Sequence, residues 1–263
     1  MNIVASGLDI QYAMAAMVLG SARILPAFLL LPFLTSSVVS TTIRMPVVLL
    51  IGLVLWPHPL SSVPFDYVNE YLKVLAQELV IGFVLATVFA LPFWIMHGVG
   101  SLIDNQRGAT ISSTLDPMSG VDTSELAKLF NFFVAALFLY GGGLTLMLET
   151  YQTSYQVCDP LADCSMSVVS ILGLLSKLMI KIIVLASPVL AVLLLSEMLL
   201  GLLSRFAPQM NAFSISLTVK SLISFFIIIF YFEPVLPDAL KTLWMQSGQI
   251  QDWLISDSSS SLG

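Results

Sequence analysis

The side chains that could do chemistry are few, and their spacing suits none of the common reactions. Two histidines, His58 and His97, lie outside any His-x-x-x-His pair, Gly-x-Ser-x-Gly elbow or phosphate-binding glycine loop. His58 stands between Pro57 and Pro59 and reads as a loop residue. His97 reads as the end of an apolar helix, where a cation is favourable. Glu78 and Glu149 read as lying near helix ends within reach of water. The twelve methionines read as apolar filler, a residue type that also makes deformable seals. Acid–base, nucleophilic and metal-assisted catalysis find no constellation here. The expectation is a protein that is not an enzyme and has no cofactor, metal or catalytic residue.

Two pairs of residues invite a more specific reading. Cys158 and Cys164 enclose the polar turn Asp159-Pro160-Leu161-Ala162-Asp163. They read either as a loop disulfide, which would place the turn in an oxidising compartment, or as two free thiols. Zinc lacks a nearby histidine or third cysteine. Glu197 lies eleven residues before Pro208 and Lys220 twelve after it, so an antiparallel hairpin turning at Pro208 brings them nearly level. Each is otherwise a lone charge in an apolar run, so pairing would remove the main energetic objection to both. The alternative is that each pairs with a different subunit.

These residues sit in a chain of 263 that is 57% hydrophobic and only 10% charged. Ordinary soluble domains carry about 25% charged residues, so most of this surface must face lipid or other apolar protein. The net charge of -6 reflects scarce basic residues, which disfavours nucleic acid as a partner. Six apolar stretches stand out: Ala13–Leu34, Pro46–Trp56, Leu79–Met96, Leu129–Leu148, Ile182–Leu203 and Ala212–Phe232. A membrane-crossing helix needs about 20 residues, and all but Pro46–Trp56 reach roughly that range. The fold expected is an all-α integral membrane protein of helical hairpins, with some of the apolar helices not crossing the bilayer.

Arg23, Pro26 and Pro32 interrupt the first stretch, Glu197 the fifth and Lys220 the sixth, as in helices that pack against other chains. Residues 1–10 hold no Lys or Arg, so the first apolar segment is expected to stay in the mature protein. With six spans and the N-terminus outside, loops 35–45, 97–128 and 204–211 are cytoplasmic and carry Arg44, Arg107, Lys128 and Arg205. The cysteine loop then falls outside. Ala239–Ile255 places Leu240, Leu243, Trp244, Ile250, Trp253 and Leu254 at helical spacing, fit for the membrane interface or for a partner. One domain, 1–255, is expected, with a short disordered tail at 256–263.

Two polar segments remain. Residues 103–117 read as a Gly-, Ser- and Thr-rich loop, either an exposed connector or a lining for a path, with Asp122 and Glu125 spaced like a capping box before the next helix. Leu203-Ser204-Arg205-Phe206-Ala207-Pro208-Gln209-Met210-Asn211 reads as a hairpin tip. In these segments Asp104-Asn105-Gln106-Arg107-Gly108-Ala109-Thr110, Asp116-Pro117, Asp122-Thr123-Ser124-Glu125 and Leu202–Asn211, together with Cys158-Asp159-Pro160, resemble the SctT family. That family is the T component of type III secretion export apparatus, with SpaR-type members and, more distantly, flagellar FliR. The likeness runs over essentially the whole chain except the first ten residues and the part after Phe232.

The resemblance implies a single T subunit closing a spiral of R- and S-type subunits at the base of the secretion apparatus in the bacterial inner membrane. It implies a conduit for unfolded proteins, with energy supplied by other components. The implied partners are R-, S- and U-type apparatus subunits, secreted proteins in transit, inner-rod or needle proteins, and membrane lipid. Asp104, Asn105, Arg107, Asp116, Arg205, Gln209 and Asn211 are then the expected gate or subunit-contact residues. The competing class is a self-contained secondary transporter or channel, against which no pair of short segments recurs in two matching halves.

Overall fold

Long apolar runs in an apolar solvent fold as helices, because a helix satisfies every backbone group within its own segment. The computed structural model describes residues 2–35, 38–59, 67–108, 124–162, 168–206 and 212–247, with no strand among them. The helices are α1 (Asn2–Leu30), α2 (Thr41–Leu55), α3 (Val68–Arg107), α4 (Glu125–Tyr140), α5 (Gly143–Val157), α6 (Val168–Phe206) and α7 (Ala212–Ser247). A single 3-10 turn, Pro32–Leu34, follows α1.

Among the described residues, four helical segments are long and apolar enough to cross a membrane: Ile10–Leu30, Val68–Arg107, Ser176–Phe206 and Ile215–Val235. α4 and α5 would make a fifth crossing, but they bend by 71° at their junction. Gly142, at φ 74°, turns the chain there, in a conformation that costs other residues strain. The apolar stretch Leu129–Leu148 is therefore two helices meeting at a bend, a broken span or a re-entrant pair, and not one straight helix. α2 is longer than its apolar run, because Thr41 to Met45 join it. Its 15 residues rise about 22 Å, still short of the hydrocarbon core. The expected separate helix at the C-terminus is corrected as well, since α7 continues unbroken past Phe232 to Ser247. Residues 248–263, which hold the rest of that stretch and the tail, lie outside the described residues.

Contacts gather the chain into two compact units. One comprises described residues of Met1–Leu91, Phe138–Gly173 and Trp244–Gly263; the other comprises those of Pro92–Leu137 and Leu174–Leu243. In the first, α1 and α2 touch backbone to backbone. A Cβ on Gly20 would lie 2.1 Å from the Gly52 carbonyl oxygen, and one on Gly52 would lie 2.3 Å from the Ser21 nitrogen. Glycine allows this approach, which helices in lipid use for want of a hydrophobic drive to associate. Ala15, Ala16, Leu19, Trp56 and Val74 form a core beside it, flanked by Tyr12, Tyr71 and Leu75. In the second unit, Gly100 does the same for α3 and α4, with the Ala127 backbone 2.5 Å from a would-be Cβ. Phe93, Ile103, Val134, Val189 and Leu193 are buried there, and the rings of Phe130 and Phe232 meet at 5.1 Å.

Candidate functional site

Each unit contains one cluster of charged and polar side chains inside otherwise apolar packing. In the first, Arg23 of α1 and Glu78 of α3 form an ion pair in which both side chains are 0% exposed. The contact is bidentate: Nε donates to Oε2 at 2.7 Å and Nη2 to Oε1 at 2.6 Å. Nη1 donates to Ser154 Oγ at 3.0 Å and Nη2 also to the Cys158 carbonyl at 3.0 Å, so α5 and its C-terminal turn close the shell. The guanidinium lies 3.8 Å over the Tyr155 ring. A planar five-donor head suits this geometry where lysine would not. Backbones must come close for it to form, and Gly82 lets α3 press on α1: a Cβ there would lie 2.0 Å from the Arg23 carbonyl oxygen.

The sequence does not mark these two as a pair. Arg23 reads there only as an interruption of an apolar run, and Glu78 is fully buried eleven residues into α3, not near water at a helix end as expected. The usable signal was the one applied to Glu197 and Lys220, opposite lone charges in separate apolar helices. What it lacked was a hairpin to set their levels. Glu149 is exposed in mid-helix.

Beyond the pair, His58 Nε2 and Asp159 Oδ1 lie 2.8 Å apart at the partly exposed margin of the unit. The Leu161 amide donates to the same oxygen at 2.9 Å. That backbone bond first, and His58 after it, hold the Asp159 carboxyl below the usual aspartate range. Cys158 is buried and disulfide-bonded, while Cys164 lies outside the described residues.

The second cluster surrounds the C-terminal end of α3. Asp104 and Arg107 belong to the last turn of that helix and not to a loop, which corrects the loop reading for residues 103–107; residues 109–117 lie outside the described residues. Arg107 Nε donates to Asp104 Oδ1 at 2.7 Å, and its guanidinium lies 5.2 Å from the Phe225 ring centroid. The other Asp104 oxygen accepts from Ser124 Oγ at 2.6 Å and from the Leu126 amide at 3.0 Å. Ser124 is the N-cap of α4, its Oγ accepting from the Ala127 amide at 3.1 Å. The start of α4 is thus capped jointly by Ser124 and a carboxylate from the neighbouring helix; Asp122, where a capping box was expected to begin, lies outside the described residues.

Glu197 and Lys220 are brought together: Nζ lies 2.9 Å from Oε2, with Lys220 8% and Glu197 53% exposed at the side chain. Gln106 Nε2 donates to the same Glu197 oxygen at 3.2 Å, and Lys220 reaches the Gln106 carbonyl at 3.4 Å. That carbonyl is one of the last in α3, where cations are favoured. His97 lies well inside α3, its Nδ1 3.1 Å from the Asn131 amide nitrogen, and so does not end a helix. Asn105 is exposed beside the cluster and Arg205 is exposed in the last turn of α6. Asp116, Gln209 and Asn211 lie outside the described residues.

Both clusters satisfy buried charge and fix helix ends, and among the described residues no three His, Cys, Asp or Glu side chains gather as metal ligands.

Residues 14–247 match the family described as bacterial export proteins, family 1. The chain is 46% identical over 245 residues to surface presentation of antigens protein SpaR of Salmonella typhimurium, a match covering 93% of each chain. It is 50% identical over 206 residues to the SpaR protein of Shigella flexneri, covering 78% of this chain and 80% of that one. With Yop proteins translocation protein T of Yersinia pestis it shares 28% identity over 229 residues, covering 84% of this chain and 87% of the other. An all-helical membrane protein matched along nearly its full length, the chain belongs to family 1 of the bacterial export proteins.

Proposed function

We propose that the chain is the T-type component of a type III secretion export gate, forming with R- and S-type subunits a conduit for unfolded proteins across the bacterial inner membrane. The observation that carries this reading is the extent of the likeness: 93% of the chain aligns with 93% of the Salmonella SpaR protein, at 46% identity. The distribution of burial supports it. The best membrane windows of α1 and α3 are 61% and 67% buried, whereas those of α6 and α7 are 28% and 17% buried. A subunit built to be covered on one side by neighbours has this asymmetry.

Within that reading, the exposed Asn105 and Arg205 are contacts to R- or S-type neighbours, and Asp116, Gln209 and Asn211 are retained as contact residues. Asp104 and Arg107, being buried, act by holding the ends of α3 and α4. The turn after α5 faces the periplasm and its disulfide joins Cys158 to Cys164. U-type subunits, inner-rod or needle proteins and the secreted chains are the remaining partners.

The test is extraction of the chain from bacterial membranes in mild detergent, followed by native mass measurement. One copy of this chain with several copies of R- and S-type subunits is the expected composition. A homo-oligomer of this chain alone sinks the gate and favours a self-contained transporter or channel.

A further inference from the structure

The segment that follows α5 is tied to three separate parts of the first unit. The Cys158 carbonyl accepts from Arg23 of α1 at 3.0 Å. Asp159 meets His58, after α2, at 2.8 Å, and the Ala162 carbonyl accepts from Gln77 of α3 at 2.8 Å. Inside the segment, the Leu161 and Ala162 amides bond to Asp159, one to its side chain at 2.9 Å and one to its carbonyl at 3.1 Å. Residues 158–162 are therefore a strap. The Arg23 tie differs from the other two, because Arg23 is 0% exposed. A guanidinium N–H that loses the Cys158 carbonyl has no water to turn to, whereas His58 and Gln77 do.

We propose that oxidation at Cys158 sets the strap in the conformation that completes the Arg23 shell, so that the tightness of the buried Arg23–Glu78 pair follows the thiol–disulfide state of the compartment it faces. In the covalent step Cys158 and the other cysteine of the sequence, Cys164, surrender two protons and two electrons to a dithiol–disulfide carrier. A sulfur–sulfur bond forms between them, by way of a mixed disulfide with the carrier, whose own bond breaks and which leaves as the dithiol. Closing a ring of about seven residues restricts the undocked strap by roughly fifty-fold. That restriction favours docking of the Cys158 carbonyl on Arg23. Through Arg23 the effect reaches Ser154, which the same guanidinium holds. The inference does not depend on what the assembled protein transports.

The test is hydrogen exchange on the protein purified with its neighbouring subunits, oxidised and after treatment with a dithiol reductant, read on peptides covering 151–157 and 158–162. Reduction should speed exchange at least about tenfold in both peptides, because losing the Cys158 tie loosens the Arg23 shell around Ser154. Acceleration confined to 158–162, or none in either peptide, overturns the coupling. The same experiment on the Arg23→Met/Glu78→Met protein separates the strap from the pair: with no shell to complete, reduction should speed exchange at 151–157 by less than about threefold. An acceleration there as large as in the unsubstituted protein also overturns it. Should the double variant not accumulate, the comparison of the two peptides in the natural protein decides alone.

Discussion

Glu78→Gln keeps nearly the shape of the side chain and removes its charge, which makes it the cleanest probe of the first cluster. Gln can still accept one hydrogen bond from Arg23, but its amide nitrogen faces the other guanidinium donor. Arg23 cannot relieve the mismatch by losing a proton. It stays charged and 0% exposed, with only neutral partners left: the Tyr155 ring at 3.8 Å, the Ser154 hydroxyl and the Cys158 carbonyl. Breaking a buried pair by removing one partner costs about 3–5 kcal/mol, against a total stability of about 5–15 kcal/mol. The folded-to-unfolded ratio should fall roughly a hundred- to a few-thousand-fold.

The double substitution Arg23→Met/Glu78→Met should behave differently. Exchanging a buried pair for apolar side chains ranges from neutral to about 1–4 kcal/mol stabilising. Ser154 keeps a bond of its own, to the Tyr151 carbonyl at 2.6 Å. The Cys158 carbonyl loses its Arg23 donor, a debit of about 1–3 kcal/mol. The net should lie within about 3 kcal/mol of the natural protein. The assay is thermal unfolding of detergent-purified protein, with membrane abundance measured in parallel. A loss below about 1 kcal/mol for Glu78→Gln, or a double variant as poor as the sum of both singles, refutes the claim that desolvated charge dominates here.

Gly82→Ala drives a Cβ to 2.0 Å from a backbone oxygen, while Gly142→Ala meets open space at φ 74°. Thermal unfolding should rank the first well below the second, which carries only about 1 kcal/mol of left-handed strain; the reverse order would exclude backbone crowding as the cause. Asp104→Ala strips a cap from α4 and should cost about 1–3 kcal/mol, visible as faster hydrogen exchange at Leu126; unchanged protection there would mean that Ser124 caps alone. At the Glu197–Lys220 pair the exposures, 53% and 8%, predict asymmetry. Glu197→Gln, which orphans a buried ammonium, should reduce co-purification of neighbouring subunits more than Lys220→Met, and the double variant should recover much of the loss; equal losses without recovery would mean the charges have other partners. The Asp159 carboxyl, held low first by the Leu161 amide, contributes stability that is full above the ordinary aspartate value of about 3.9 and is lost as pH falls through its lower folded value. Exchange protection of 158–162 should therefore stay level from about pH 7 to 5 and drop only below about 4; a loss already complete by about pH 5 would refute this role of Asp159.

The sequence by itself determined the class of this protein. With 57% hydrophobic and 10% charged residues, long helices in an apolar solvent follow from the need to satisfy every backbone group internally. It also placed Glu197 beside Lys220, because both belong to one hairpin and a hairpin converts sequence distance into level. Tertiary structure decided what no such ruler reaches. Arg23 and Glu78 lie 55 residues apart on helices whose relative height depends on glycine contacts at Gly82, Gly20 and Gly52. The Leu129–Leu148 run reads as one straight helix because hydropathy counts apolar residues and does not register that Gly142 sits at positive φ. The polar stretch beginning at Ile103 looked like a loop because Asp104 and Arg107 are polar. They are helical because Asp104 bonds its own i+3 arginine on one oxygen and caps the next helix with the other. Polarity marks where water or a partner is needed, and only the packed fold decides which of the two supplies it.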